Sequence, residues 1–484
     1  MKKVLLCGIK GTGMSTLALI LQRIGYEVLG LDKSIYFSTE EKLKNNEIKY
    51  YENFELTNLT DDIDLFIYSS AYEKLDLVRM AKQRYKSYSY PEYLGYLSTK
   101  SQTYAICGTH GKSSTAALSS YALSQGNRKN FSFYSIYGSN IIGESDITYQ
   151  GSENLILEAC EYQDHFLLYQ LNGLVITNIE YDHPDYFKDI NQMIESYKKL
   201  IKNIKIGGFL IINNDNYNNK KILKYVQLTR YDLIVITYGF QKNSTIAIEE
   251  GYKKGYIKIP FMGNQEYNIP TLNRSLIGNY VAASILSACV ILDRDAPKLY
   301  LDNYTIIFEE VINTLLAQSL KVLQDFIGIS RRLELRGIVN GLLFFDDYAH
   351  HPTELETVIN ELHLRYPGKR IISIFTPHTA SRTKALFQDF ANVLCDFDVL
   401  ILTPTFNARD DNSITDYSQL MYEKIRKQVE DNNSNKLSAI YYLEKDNEII
   451  DTCLLNISCN DIIITLGAAN KTYLVDEIAR IING

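Results

Sequence analysis

Short apolar runs alternate with longer stretches of helical periodicity along the whole chain. Val4–Ile9 is such a run; the helical pattern Met14–Gly25 follows it, and then the apolar stretch Glu27–Asp32. A second strand–glycine–helix start lies at Tyr104–Leu123. A third series opens after Ile327. It comprises a strand-like run at Leu342–Ala349, a helix from Pro352, a strand at Arg370–Pro377, a helix over Arg382–Leu394, a strand at Asp398–Thr405 and a last strand from Asp461. Apolar runs of four to eight residues bounded by turns, alternating with helical segments, predict layered α/β domains with mostly parallel sheets. The pattern divides into three domains, roughly 1–99, 100–327 and 328–484. The Asn-rich segments Asn213–Lys221 and Asp431–Lys436 read as loops. The longest apolar stretch, Ser275–Leu292, contains Gly278, Asn279 and several serines, and reads as a buried helix rather than a membrane span.

Composition narrows the class without naming a chemistry. The 484 residues are 46% hydrophobic and 22% charged, as expected of a folded globular chain. Fifty basic against 57 acidic residues leave a net charge of −7, which argues against a nucleic-acid partner. The seven cysteines are scattered and form no CxxC pair, consistent with reduced thiols and a cytoplasmic location. The basic start followed by Val4–Ile9 reads as a first strand, not a signal peptide. No membrane association is expected.

The chemistry sits where strands end. Gly108-Thr109-His110-Gly111-Lys112-Ser113-Ser114 follows a strand and opens a helix. In such a turn backbone N–H groups bind phosphate oxygens, the lysine reaches the terminal phosphates and the hydroxyl after it can ligate Mg²⁺. Ile106 occupies the first glycine position of the general phosphate-loop pattern. Gly8-Ile9-Lys10-Gly11-Thr12-Gly13-Met14-Ser15, with Asp32 ending the next strand, is a weaker signal that fits NAD, another diphosphate ligand or close helix packing. Glu158, Asp182 and His183 end two further apolar runs. In parallel sheets ligands lie beyond the carboxyl ends of strands, so these residues are candidates for sharing metal ions with the Lys112 loop. Arg331-Arg332, Asp346-Asp347-Tyr348-Ala349-His350-His351-Pro352 and Pro377–Thr383 complete the set. Taken singly, a solvated arginine pair or a capped helix start would explain each of them.

Taken together, GIKGTGMS, GTHGKSS, EACE, TNIEYDH, SRRLE, DDYAHHPTE and PHTASRT, in that order from residue 8 to about 410, resemble the Mur ligase family. The resemblance implies a Rossmann-like first domain binding a UDP-sugar, a central phosphate-loop ATPase-like domain on a parallel or mixed sheet, and a Rossmann-like third domain closing over ATP and an amino acid. It implies ATP-dependent ligation of L-alanine to the lactyl carboxylate of UDP-N-acetylmuramate through an acyl phosphate, in cytoplasmic peptidoglycan precursor synthesis. ATP and Mg²⁺ are the implied cofactors, and a monomer or weak homodimer is expected. By the same resemblance Gly11, Thr12, Gly13 and Ser15 lie near the UDP diphosphate, displacing NAD. Gly108–Ser114 wraps the ATP phosphates, and Ser113, Glu158 and His183 hold the metal. Asn279, Arg332 and Asp347 contact the nucleotide, and His350 and Arg382 place the amino acid. Lys112, His183, His350 and Arg382 are the implied catalytic set. Lys10 stands where the family commonly has glycine, and Thr379 where some members carry arginine. Two alternatives remain: a recycling ligase that adds a preformed peptide to the same nucleotide sugar, and a non-catalytic nucleotide-sugar sensor.

Overall fold

A computed structural model describes residues 2–35, 37, 39–125, 131–143, 148–263, 265–295, 306–406, 416–431 and 436–484. By compactness the chain divides into two units. The first comprises 1–181, 189–270 and 276–327; the second comprises 182–188, 271–275 and 328–484. The two sheets expected for the first two domains both lie in the first unit.

The first sheet has five strands in the order Lys49–Tyr51, Glu27–Leu31, Lys3–Cys7, Leu65–Tyr68, Lys86–Ser89, all parallel. Its central strand is apolar on both faces because helices cover both: Val4, Leu5, Leu6 and Cys7 are fully buried. The order runs outward in both directions from the first strand, which puts the glycine-rich turn after Cys7 at the switch point where α/β sheets bind ligands. The second sheet has seven parallel strands, with Gln102–Cys107 between Leu171–Ile176 and Asn154–Glu158. That register sets Ile106 beside Glu158 and Cys107 beside Ile176, so the phosphate loop emerges flanked by two other strand ends. A small antiparallel sheet, Glu249–Glu250, Tyr256–Lys258 and Glu266–Asn268, follows. The Arg274–Asp295 helix buries Val281, Ala282, Leu286 and Val290 completely, which makes it a core helix, as its pattern predicts.

The second unit carries a six-stranded sheet in which only the edge strand Glu334–Val339 is antiparallel. Its core joins Phe344, Ile372, Ile374, Ile401 and Ile463 to Leu474, Val475 and Ile478 of the last helix. The fully buried Glu361 accepts from Thr271 Oγ1 (2.9 Å) and from the Leu272 N–H (3.2 Å), tying residues 271–275 to this unit.

Two sequence expectations are corrected. Residues 217–221 are not a loop but the start of the Tyr217–Thr229 helix. Asn216 caps it, accepting from the Asn218 and Asn219 N–H groups, and Ile222 and Val226 supply a buried face. The single helix expected over Arg382–Leu394 is two, Ala380–Ala385 and Phe387–Leu394, because Leu386 leaves helical geometry at φ −107°, ψ 22°. Of the loop expected at Asp431–Lys436, Asp431 ends the Tyr417–Asp431 helix and residues 432–435 lie outside the described residues.

Candidate functional site

The first motif is a tight turn from Cys7 into the Thr12–Arg23 helix. Gly11 N–H closes on Gly8 O (3.2 Å) and Ser15 Oγ donates to Thr12 O (2.9 Å). Gly13 has no room for a side chain, since a Cβ there would run into the Tyr90 hydroxyl. Asp32 is buried and its carboxylate is taken up by the Lys10 N–H (2.7 Å), the Lys33 N–H (2.8 Å) and the Tyr72 hydroxyl (2.8 Å). It therefore braces the turn and does not stand ready for a ribose, which removes the sequence basis for NAD. Lys10 is fully buried, and its ammonium meets Glu52 (2.5 Å), Glu40 (3.0 Å) and the carbonyls of Lys33 and Ile35 (both 3.0 Å). Its ammonium is held by an acidic pair, and the turn keeps its shape with a lysine in place of a glycine at position 10.

The phosphate loop is held open by its neighbours. Thr109 N–H donates to Asn178 O (3.0 Å), His110 N–H to Asn178 Oδ1 (2.9 Å) and Thr177 Oγ1 to His110 O (2.6 Å). Gly108 (φ +135°) and Gly111 (φ +82°) occupy backbone regions that only glycine adopts without strain. The Asn279 carboxamide lies against Gly111, where a Cβ would come within 2.6 Å of its Oδ1. Gly111→Ala combines that clash with a left-handed backbone cost of about 1–2 kcal/mol. It is expected to raise the KM for ATP about tenfold or more, with the other substrates' KM unchanged in initial-rate assays.

At the head of the Lys112–Gln125 helix two pairs form. Lys112 Nζ lies 3.1–3.2 Å from the Glu161 carboxylate and also donates to Gly108 O (2.5 Å) and Thr109 O (3.1 Å). Burial works against its charge, but Glu161, with Cys160 and Glu158 behind it, outweighs burial and holds the ammonium above its ordinary value. Ser113 Oγ lies 2.9 and 3.0 Å from the two Glu158 oxygens, and the Gly138 N–H donates to the same carboxylate (2.7 Å). Adjacent ligands of an octahedral Mg²⁺ with bonds of about 2.1 Å are about 3 Å apart. The Ser113–Glu158 oxygens therefore fit a hard cation. Ser114 follows on the same helix turn.

The remaining expected residues gather in the second unit. His183, Pro184, Asp185, Tyr348, His350, His378, Thr379 and Arg382 line a pocket of about 130 Å³, small beside sites for drug-sized ligands. His183 (φ 54°) and Thr379 (φ 61°) sit in the left-handed region, a cost that surrounding structure must offset and that concentrates at functional positions. Arg382 is buried, and its guanidinium grips Asp182 at two points, Nε to Oδ1 (2.7 Å) and Nη2 to Oδ2 (3.2 Å). Its Nη1 donates to His378 Nδ1 (2.8 Å). Burial works against the Asp182 charge, but Arg382 and His183 prevail and hold the carboxyl well below its usual range. His350 Nδ1 faces Tyr348 O (3.0 Å), which places the ring proton there and leaves Nε2 as an acceptor. Burial lowers its pKa to about 3, so it is a neutral hydrogen-bonding group at physiological pH.

Asp347 ends the strand Leu342–Asp347, and Arg332 lies just before the antiparallel strand Glu334–Val339 that pairs with it. Asp347 accepts from the Leu333 N–H (2.6 Å) and the Ala349 N–H (2.7 Å), and burial pushes its carboxyl up to about 6 against the pull of Arg332. Arg332 reaches Glu354 (3.5 Å) and lies over the Tyr348 ring. Arg331 is structural, bound to Asp346 and to the carbonyls of Gly467 and Ala469. His351 caps the Pro352–Arg365 helix, accepting from the Thr353 N–H. The sequence reading gave no role to Glu161, Asn178, Tyr348 or His378. Each lies within a quoted motif, which is the signal in the sequence that could have found it.

The chain is similar to known proteins over nearly its whole length. Residues 3–102 match the Mur ligase family catalytic domain, 106–292 the Mur ligase middle domain and 331–469 the Mur ligase glutamate ligase domain. The chain is 34% identical to the UDP-N-acetylmuramate–L-alanine ligase of Borreliella burgdorferi, covering 98% of both chains. It is 31% identical to the enzyme of that name from Caldicellulosiruptor bescii, over 99% of both. In fold it is similar to the UDP-N-acetylmuramate–alanine ligase of Thermotoga maritima (TM-score 0.73, 19% identity, 99% of both chains). It is also similar to a murein peptide ligase of Psychrobacter arcticus (TM-score 0.70, 18% identity, 100% and 99%).

Proposed function

The chain belongs to the Mur ligase family, and on that premise we propose that it joins L-alanine to the lactyl carboxylate of UDP-N-acetylmuramate, converting ATP to ADP and phosphate in cytoplasmic peptidoglycan precursor synthesis. The observation that carries the reading is the pair of contacts at the head of one helix, Lys112 with Glu161 and Ser113 with Glu158. A glycine turn, a charged lysine and an oxygen pair of metal-ligand spacing are the parts phosphoryl transfer needs. The full-length likeness to L-alanine ligases and the small pocket favour a single amino acid over a peptide. We infer a division of labour in which 1–99 takes the nucleotide sugar, 100–327 takes ATP and 328–484 takes the amino acid.

A carboxylate must be activated before an amine will displace its oxygen. The lactyl carboxylate attacks the γ-phosphorus of ATP, ADP leaves and an acyl phosphate forms. The L-alanine amine then attacks the acyl carbon, phosphate leaves and the amide remains. The first step joins two anions, and Lys112 supplies the fixed positive charge that offsets their repulsion. Magnesium bound by Ser113 and Glu158 would add charge neutralisation at the phosphates. The neutral His350 presents Nε2 as an acceptor that orients the amine; with a pKa near 3 it is a poor proton sink. Arg382, already committed to Asp182, shapes the pocket wall and fixes His378.

ADP formation that requires both the nucleotide sugar and L-alanine tests the reading. Within it, His350→Ala is expected to raise the L-alanine KM about tenfold, the loss of roughly one hydrogen bond, and to leave the ATP KM in place. A reversed pattern would move His350 to the nucleotide. His350→Gln, which keeps an acceptor, should recover part of the loss.

A further inference from the structure

Two lysines of the first unit are drawn in from solvent near the glycine-rich turn, and the fold treats them differently. Lys10 is fully buried against the carboxylates of Glu40 and Glu52. Lys42, two positions beyond Glu40, is partly buried. Among the described residues its Nζ meets only neutral oxygens, Thr16 Oγ1 at 3.2 Å and Asn140 Oδ1 at 3.3 Å. Burial alone brings its pKa down to about 8. Withdrawing an ammonium from water without an opposite charge is costly, and the cost disappears when an anion arrives.

Its two partners fix where that anion would sit. Thr16 lies one turn into the helix that starts at Thr12, and its hydroxyl donates to Thr12 O (3.1 Å), directly beyond Gly11-Thr12-Gly13. Asn140 follows Gly138 by two residues, and the Gly138 N–H holds the Glu158 carboxylate that takes Ser113 Oγ. Tyr90 closes on Gly13 and lies within the electrostatic reach of Glu158. Lys42 thus stands between the glycine-rich turn and the acidic end of the phosphate loop.

We propose that Lys42 is an anion contact for the nucleotide sugar, its ammonium taking the diphosphate or the lactyl carboxylate between the Gly11–Gly13 turn and Glu158. The proposal rests on the nucleotide-sugar reading above. Thr16 and Asn140 hold the Lys42 ammonium, and the substrate supplies the counter-charge that, among the described residues, carboxylates provide for Lys10 but not for Lys42.

Lys42→Met and Lys42→Arg in the full chain test it. The methionine variant is expected to raise the KM for UDP-N-acetylmuramate about tenfold or more, as befits a charge-assisted contact, with the KM values for ATP and L-alanine within about twofold. Arginine should recover most of the loss. The methionine variant should melt no lower than the parent, because it removes an uncompensated charge. Equilibrium binding of UDP separates the two anionic groups. Weaker UDP binding by Lys42→Met places the contact at the diphosphate; unchanged UDP binding with weaker UDP-N-acetylmuramate binding places it at the carboxylate. The proposal is overturned if the KM for the nucleotide sugar stays within about twofold of the parent, or if all three KM values rise together with a lower melting temperature. Should the parent show no alanine-dependent turnover, the underlying reading fails separately, and the two binding measurements still decide the contact.

Discussion

Lys112→Met is expected to lower alanine-dependent ADP formation by a factor on the order of 10³, the scale of removing a preorganised charge from a phosphoryl or acyl transfer site. The ammonium stands at the head of a helix, beside the loop that carries the two positive-φ glycines, Gly108 and Gly111. Loss of activity alone would be ambiguous, because Glu161 is fully buried and would be left without its cation. Breaking such a pair from one side costs about 3–5 kcal/mol. The double variant Lys112→Met, Glu161→Gln removes both charges and should regain most of the melting temperature while remaining inactive. A double variant that folds and turns over normally would show that Lys112 serves the fold and not the phosphates.

The second large effect belongs to Arg382 and Asp182, whose side chains are only 4% and 5% exposed. Arg382→Met leaves Asp182 buried without its guanidinium and should destabilise the second unit by about 3–5 kcal/mol, read as a drop in the melting transition. It also releases His378, whose Nδ1 accepts from Arg382, so the L-alanine KM should rise as well. The pH dependence has a definite sign. In the parent the Asp182 pKa is depressed, so its stabilisation is present above the ordinary carboxyl range and is lost as pH falls through the folded value. In the variant burial is left to raise that pKa, although His183 and His351 still face the carboxylate, and acid then relieves the strain. The gap in melting temperature should be widest near pH 7 and narrow toward pH 4. A gap independent of pH would mean that packing, not charge, is what Arg382 contributes.

What could be read from the sequence depended on how local its cause is. The phosphate loop is legible because strand, turn, lysine and hydroxyl are contiguous, and the buried strands around it are legible because both faces are apolar. Glu161 is not, since its pairing with Lys112 follows from the neighbouring strand Asn154–Glu158 lying parallel to Gln102–Cys107. Lys10 is opaque for the same reason: its carboxylates are 30 and 42 positions away. The Tyr217–Thr229 helix is hidden because asparagines favour turns until one of them caps a helix with a buried face. The break at Leu386 leaves no mark in a sequence whose periodicity runs straight through it. His350 and His351 are indistinguishable as letters, yet one caps a helix and the other lines a pocket.

The most direct measurement is phosphate release by the full chain with ATP, Mg²⁺ and UDP-N-acetylmuramate, offered L-alanine, glycine, L-serine or an L-Ala-γ-D-Glu-containing tripeptide in parallel. The account predicts release that requires the nucleotide sugar and is fastest with L-alanine. Release with the tripeptide alone would make the chain a recycling ligase on the same ATP site. No release with any acceptor, despite measurable ATP binding, would contradict the ligase reading altogether.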